Sequence, residues 1–394
     1  MTRWLLLCAG AALLGASTSD DEVTYREHIA PIIARRCLPC HNVGEAGAFP
    51  LTNYAEVRRR ASLIRWVVMA GSMPPTKVES DDNPLTAGYL SDEEKVLLQE
   101  WVRTGMKEGV NAPRPAPPAP MAWRIESPDA RLKPREQVDV AAEGTPYRRL
   151  FVLDPELTEP KQLAAFDVRP ESPFAVRQAW VAVVRKGDDD FAETRIFGRE
   201  GLDSKALVGA WAPGYPHWRS ETGITLQPGD RLAVAVLYQP TGRAEPAGFE
   251  LGVRYAPANA KQASWVRLGR AEGTLAPGDG VQTLHDEIVL DQERKLRGFI
   301  PECREFARQV RVLAVESSGK RRTLLRINAW DMNWIGAYQW PESIRLPKGM
   351  RVRVEIDYDN SGHSAGGREL LPIDPVKFGP GMKDELFWVH LQFD

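Results

Sequence analysis

Cys37 and Cys40 stand three positions apart and His41 follows at once, in the pentapeptide Cys37-Leu38-Pro39-Cys40-His41. Two thiols at this spacing can form thioethers to the two vinyl groups of one porphyrin, and the adjacent imidazole is then held on the iron as proximal ligand. Dithiol exchange and zinc binding also use C-x-x-C. A zinc site would need a second Cys or His pair at ligand spacing, which is missing. A redox dithiol would follow a strand in a βαβ unit, whereas this pair follows a helical pattern. The pentapeptide therefore reads as the attachment site of one covalent haem c, with Cys37 and Cys40 as its anchors and His41 on the metal.

A proximal imidazole leaves one axial position. Met73, in Ser72-Met73-Pro74-Pro75, is the leading candidate, because a thioether raises the potential and the two prolines fix the loop that carries it. Met69, Met106, His28 and an open position are the alternatives.

These residues need helices to hold them. Thr24 with Glu27 resembles a capping box, and Tyr25, Ile29, Ile32 and Ile33 recur at helical spacing up to the cysteines, with Pro31 expected to bend or restart the helix. Tyr54 to Met69 also reads as helical. A second box, Ser91 with Glu94, opens a helix that turns Leu97, Leu98, Trp101 and Val102 to one face before Gly105. The expectation is an all-α cytochrome c domain over residues 20–112.

Arg3 precedes an apolar run from Trp4 to Ala16 that ends in small residues before Ser19-Asp20-Asp21-Glu22, the pattern of a cleaved secretory signal over 1–19. At thirteen residues the run is too short to span a bilayer, so no integral membrane segment is expected after cleavage. Haem attachment to such a pentapeptide in bacteria occurs outside the cytoplasmic membrane, so a periplasmic or extracellular location is expected. Cys303 is then the odd thiol of the mature chain, read as buried and inert. A formal net charge of -2 argues against nucleic acid as a partner.

Residues 113–122 are rich in proline, can neither continue a helix nor enter a sheet, and read as a stiff linker. Beyond them the texture changes to short alternating runs such as Ala179 to Val184, Arg231 to Tyr238 and Met350 to Tyr358, separated by Gly, Pro and Asp clusters. This indicates two antiparallel, jelly-roll-like β-sandwiches, 123–275 and 276–394, and a multidomain chain.

The whole chain resembles a family of exported bacterial proteins that join a cytochrome c domain to a domain similar to the copper type II, ascorbate-dependent monooxygenases, the relatives of peptidylglycine hydroxylating monooxygenase. The resemblance rests on the pentapeptide, Leu51-Thr52-Asn53-Tyr54-Ala55-Glu56-Val57, Met73-Pro74-Pro75 and Leu90-Ser91-Asp92-Glu93-Glu94 in the first part. In the second part it rests on Val168-Arg169-Pro170, Ala210-Trp211-Ala212-Pro213-Gly214, Tyr238-Gln239-Pro240-Thr241-Gly242 and Tyr358-Asp359-Asn360-Ser361. It implies two side-by-side sandwiches and two coppers, one on three histidines and one on two histidines and a methionine. This chain departs from the implied ligands throughout. Arg177-Gln178 replaces a His pair, Leu237-Tyr238 replaces His-Tyr, Pro301-Glu302-Cys303-Arg304 replaces Pro-His-Met-His, and Asp384-Glu385-Leu386 replaces Asp-Glu-Met. Arg and Leu cannot bind copper, and His217, His285, His363 and His390 stand singly, so copper is not expected.

Two functions of different class follow. One is an exported monohaem electron-transfer protein that meets a redox partner protein in the cell envelope and uses a copper-free β region for binding or docking. The other is an oxidoreductase that works through a residual metal site or the haem itself, and the sequence leaves open whether the chain is an enzyme. A third possibility is an envelope interaction protein whose Trp211, Tyr215, Trp218, Trp330, Trp334 and Trp340 form a recognition surface, although most of these read as packing.

Overall fold

The computed structural model describes residues 22–75, 78–79, 90–110, 112–113, 123–188, 205–215, 217–256, 262–270, 272–278, 280–334, 336–362, 374–379 and 384–394. The expected signal segment, most of the proline-rich linker and His363 lie outside the described residues.

The runs of alternating and continuous apolar residues form antiparallel sheets. In the first sandwich, Tyr147–Leu153, Arg231–Tyr238, Val176–Val184 and Leu207–Trp211 make one four-stranded sheet. Ala130–Leu132, Phe249–Ala256, Lys161–Pro170 and Trp218–Leu226 make the other. Val176–Val184 is almost continuously buried, as a strand packed on both faces must be, and Val181 and Val234 sit opposite each other in the core.

The second sandwich faces Ser264–Arg270, Phe387–Phe393, Arg294–Glu302 and Tyr338–Leu346 against a five-stranded sheet. That sheet contains Arg321–Ile327, Ala307–Val315, Arg351–Asp359 and Val281–Val289. Ser264–Arg270 lies before the seam expected at 275/276, yet it pairs in full register with Phe387–Phe393 of this second sandwich. Ile300 and Trp265, from strands of the second sandwich, pack into the apolar cluster of the first, so the two bodies share buried surface.

The fold class expected for the N-terminal part needs correction. The structure is mostly β, 44% strand and 15% helical, with no all-α cytochrome c domain standing beside the sandwiches. The helical residues come in short pieces. Tyr25–Ile29 and Ile33–Cys37 are π-helical turns on either side of the single α turn Ala30–Ile32, where Pro31 supplies no N–H to the ladder. Leu38–His41, Tyr54–Arg59 and Ala61–Met69 are also brief, and among the described residues the longest helix is Asp92–Arg103. After the helix Ala61–Met69 and the turn that carries Met73, Val78–Glu79 becomes the fifth strand of the second sandwich's sheet, with Val78 opposite Ile327. Val78 is buried in that sandwich's core, so the helical segment is strapped into the β body.

The helical pieces still enclose an apolar cluster that includes Tyr25, Ile29, Val57, Leu98 and Trp101. The capping box of Ser91 and Glu94 is complete, each side chain bonded to the other's backbone N–H. Glu94 also accepts from Arg36 Nε at 3.1 Å, which ties the residue before Cys37 to the longest helix.

Candidate functional site

The α turn Leu38–His41 follows a π-helical turn and presents Cys37, Cys40 and His41 to one cavity of about 360 Å³. That volume falls within the roughly 300–1,000 Å³ usual for cofactor sites. Met73 lines the same cavity, and apolar side chains such as Leu51, Ile64, Val68 and Leu98 form much of its wall. The other candidates for a sixth ligand are not on that wall. Met69 is exposed on the outer face of its helix, Met106 packs against the helical cluster, and His28 Nδ1 accepts from Thr24 N at 3.1 Å.

His41 is held by two neighbours. Its Nδ1 lies 2.8 Å from the carbonyl oxygen of Phe49, and a carbonyl can only accept, so Nδ1 carries a proton and Nε2 is the ring nitrogen left outside that bond. Gly47 lies against the same Nδ1 edge and donates its N–H to Cys40 O at 2.7 Å. A Cβ at Gly47 would sit 2.7 Å from His41 Nδ1, so only glycine lets the backbone come this close. Leu51 N–H also donates to His41 O at 2.8 Å, closing the loop 42–51 under the ring.

Burial, with the neighbouring Cys40 thiol adding to it, pushes the Cys37 thiol up to about 12. Burial pushes Cys40 up to about 11, against an opposing influence from Arg124. Both groups are therefore neutral thiols at physiological pH, unlike the low-pKa thiolates of dithiol exchange.

Met73 is placed by the end of the helix Ala61–Met69. The backbone N–H groups of Ser72 and Met73 both donate to Val67 O, at 2.9 and 3.1 Å. Five residues later Val78 is locked into the β-sheet, so the loop is anchored at both ends.

That the β region completes this cavity was not legible from any local pattern. Arg177, Pro213, Gly214 and Tyr215 from the first sandwich and Trp334 from the second all line it. The only available signal was Ala210-Trp211-Ala212-Pro213-Gly214, which marks a tight turn and not its destination. Arg124 fastens the cover by donating to Tyr215 O at 2.6 Å and Pro39 O at 3.3 Å, with Glu45 at 3.2 Å.

The positions where the resembled family would carry copper ligands hold other contacts. Arg177 lies over the Trp334 ring at 4.7 Å, and Gln178 is buried opposite Leu237. Glu302 Oε2 is 3.0 Å from His390 Nε2, both buried where the second sandwich meets Trp180 of the first. Burial by itself would raise the Glu302 carboxyl. The His390 hydrogen bond and charge, with Arg148 and Arg267, outweigh it and hold the carboxyl below its ordinary value. Glu385 accepts backbone N–H bonds from Phe306 and Leu386 at 2.9 and 2.8 Å. Cys303 is fully buried, and burial drives its thiol well above the usual range. Among the described residues, no group of three or more His, Cys, Asp or Glu side chains is placed to hold a metal ion.

No protein-family model matches the chain, and no curated protein matches it in sequence. Among solved structures, the cowpea mosaic virus top component is 10% identical over 64% of this chain and 90% of its own, with a TM-score of 0.27. A two-domain protein of unknown function from Bacteroides fragilis is 12% identical over 63% of this chain and 85% of its own, with a TM-score of 0.19. The infectious bursal disease virus VP2 subviral particle is 10% identical over 67% of this chain and 75% of its own, with a TM-score of 0.20. Likeness at these TM-scores carries no argument about activity.

The remaining features bear on surface roles. Trp211, Tyr215, Trp218, Trp330 and Trp340 are all buried, which removes them from any recognition surface, while Trp334 is half-buried at the cavity. Among the described residues, no helix is long and apolar enough to cross a membrane.

Proposed function

We propose that the chain is an exported monohaem electron-transfer protein, with haem c held covalently by Cys37 and Cys40 and ligated by His41 and Met73. The observation that carries this reading is the convergence of all four side chains on one largely apolar cavity, with His41 Nδ1 bonded to Phe49 O so that Nε2 is left as the donor. The donor set fits the group: two thiols one turn apart, an imidazole of fixed tautomer, and a thioether on an anchored loop.

When bound, the haem supplies one-electron exchange. The chain's own residues do the rest. Phe49 O and Gly47 orient the imidazole, apolar side chains form the cavity wall, and the strap at Val78 limits the travel of Met73. A β region free of copper, serving to bind or dock a redox partner protein in the cell envelope, completes the proposal. It is supported by the contacts that occupy Arg177, Gln178, Glu302 and Glu385.

The test is metal analysis and visible spectroscopy of protein purified from a host able to attach haem c. One covalent haem per chain is expected, lost in the Cys37→Ser/Cys40→Ser double variant. Met73→Ala is expected to abolish the sulfur-to-iron charge-transfer band of the oxidised protein. A chain that carries no covalent haem refutes the haem assignment, an unchanged band refutes Met73, and stoichiometric copper refutes the copper-free β region.

A further inference from the structure

The wall that the β region supplies is held against the haem-attachment turn at two points. Gly214, in the left-handed region at φ +79°, lies so close to Cys40 that a Cβ there would fall 2.0 Å from Sγ. Arg124 makes the second point. Its Nη1 donates to Tyr215 O at 2.6 Å, beside Gly214, while its Nη2 donates to Pro39 O at 3.3 Å, between the two cysteines, and to Glu45 Oε2 at 3.2 Å. One planar guanidinium therefore joins three segments, which the single nitrogen of a lysine cannot reproduce.

The base of this clasp is fixed. Arg124 N–H donates to Asp167 Oδ2 at 2.9 Å, and the other oxygen of that buried carboxylate accepts from Trp211 Nε1 at 3.0 Å. The same group thus holds Arg124 and the strand Leu207–Trp211 that leads into the covering turn. Tyr215 OH donates to Trp334 O at 2.9 Å, which ties the cover to the second sandwich. Pro213, Gly214 and Tyr215 all line the cavity.

Taking a haem out of water penalises the ferric form, which carries one more positive charge than the ferrous form, so screening from solvent raises the potential. We propose that Arg124 is the positioning residue that seats the turn 212–215 over the haem-attachment site, and that through this clasp the β region screens the haem from water and raises its reduction potential. The proposal rests on the haem reading above and gives the β region a part in the redox chemistry besides docking.

The experiment takes two readouts from the purified full chain. One is hydrogen exchange of the turn 212–215, where Tyr215 N–H donates to Ala212 O at 3.2 Å, and the other is the midpoint potential by spectroelectrochemical titration. Arg124→Lys is the decisive variant, because it keeps the charge and loses the fork. It is expected to speed exchange of the turn roughly 10- to 150-fold, the factor that goes with losing a charged hydrogen bond, and to lower the potential. Arg124→Gln is expected to do both as well. A lysine variant with an unchanged or raised potential overturns the proposal, as does wild-type exchange of the turn in both variants. A wild-type chain without covalent haem overturns the haem reading and takes this proposal with it, whereas a haem-bearing chain whose potential is indifferent to Arg124 overturns the proposal alone. Where the Arg124 variants fail to accumulate, Gly214→Ala takes their place. Its Cβ pushes the turn off Cys40 with no change of charge, so a lower potential is expected, and an unchanged or raised one overturns the proposal.

Discussion

Gly47→Ala offers a sharp test of how His41 is aimed. The added Cβ would lie 2.7 Å from both Cys40 O and His41 Nδ1 and 2.8 Å from His41 Cγ, whereas ordinary contact begins near 3.4 Å. Two of the three obstacles belong to a ring held by Phe49 O, and the third is backbone, so none can yield as a flexible side-chain tip would. Overpacking of this kind costs about 1–3 kcal/mol, and losing the Nδ1–H bond when the ring swings costs about 1 kcal/mol. Together these give about 2–4 kcal/mol of local destabilisation. Every 1.4 kcal/mol is tenfold, so the amides of Gly47 and Leu51, bonded to Cys40 O and His41 O, are expected to exchange hydrogen roughly 30- to 700-fold faster. If the chain carries the proposed haem, its visible spectrum is expected to change with them, because Nε2 turns as Nδ1 is displaced. An alanine variant with wild-type exchange at both amides and a wild-type spectrum would refute the reasoning.

Glu302→Ala removes one partner of a buried pair and leaves Arg148 and His390 facing each other without it, so a loss of about 3–5 kcal/mol is expected in chemical denaturation, against about 1–3 kcal/mol for Glu302→Gln. The same group sets a pH dependence. Its folded pKa lies below the ordinary carboxylate value, so its contribution is present above the unfolded pKa of about 4.3 and is lost as pH falls through the depressed folded value. The stability gap between wild type and Glu302→Ala is therefore expected to narrow below about pH 4, and a gap that widens on acidification would contradict the assignment. Val78→Ala strips two methyl groups from a buried site where the helical segment joins the β-sheet, and about 1–2 kcal/mol is expected from the denaturation midpoint, with no change meaning that the strap carries no load.

Some helical pieces were legible because their signals are local, although the capping box expected of Thr24 and Glu27 does not form, Thr24 making no side-chain cap bond. Ser91 with Glu94 needs only a few residues to make a capping box, and Leu98 with Trp101 needs only helical spacing to share a buried face. The strands were legible for the same reason, through period-two or continuous apolar runs. Their partners were not. Ser264–Arg270 reads equally well as the end of one sandwich or the start of the next, because alternation says nothing about which edge a strand will join. The all-α expectation failed at Val78–Glu79, where the hydrogen bonds of a two-residue strand go to Ile327 and Arg326, some 250 positions away.

The sequence by itself determined the chemistry of the proposed site: two thiols and an imidazole in a spacing that suits one porphyrin, with a thioether in a proline-fixed loop. It also determined that the residues standing where the resembled family binds copper are ones such as Arg177 and Leu237, because side-chain type alone decides whether a metal can be held. Only the tertiary structure decided what surrounds that chemistry. Gly214 against Cys40, Arg177 over Trp334 and Val78 against Ile327 are contacts between segments far apart in the chain, made when sheets pack and cover apolar surface. Burial and close packing act on surfaces formed by the whole fold, and no local pattern encodes which distant loop will meet them.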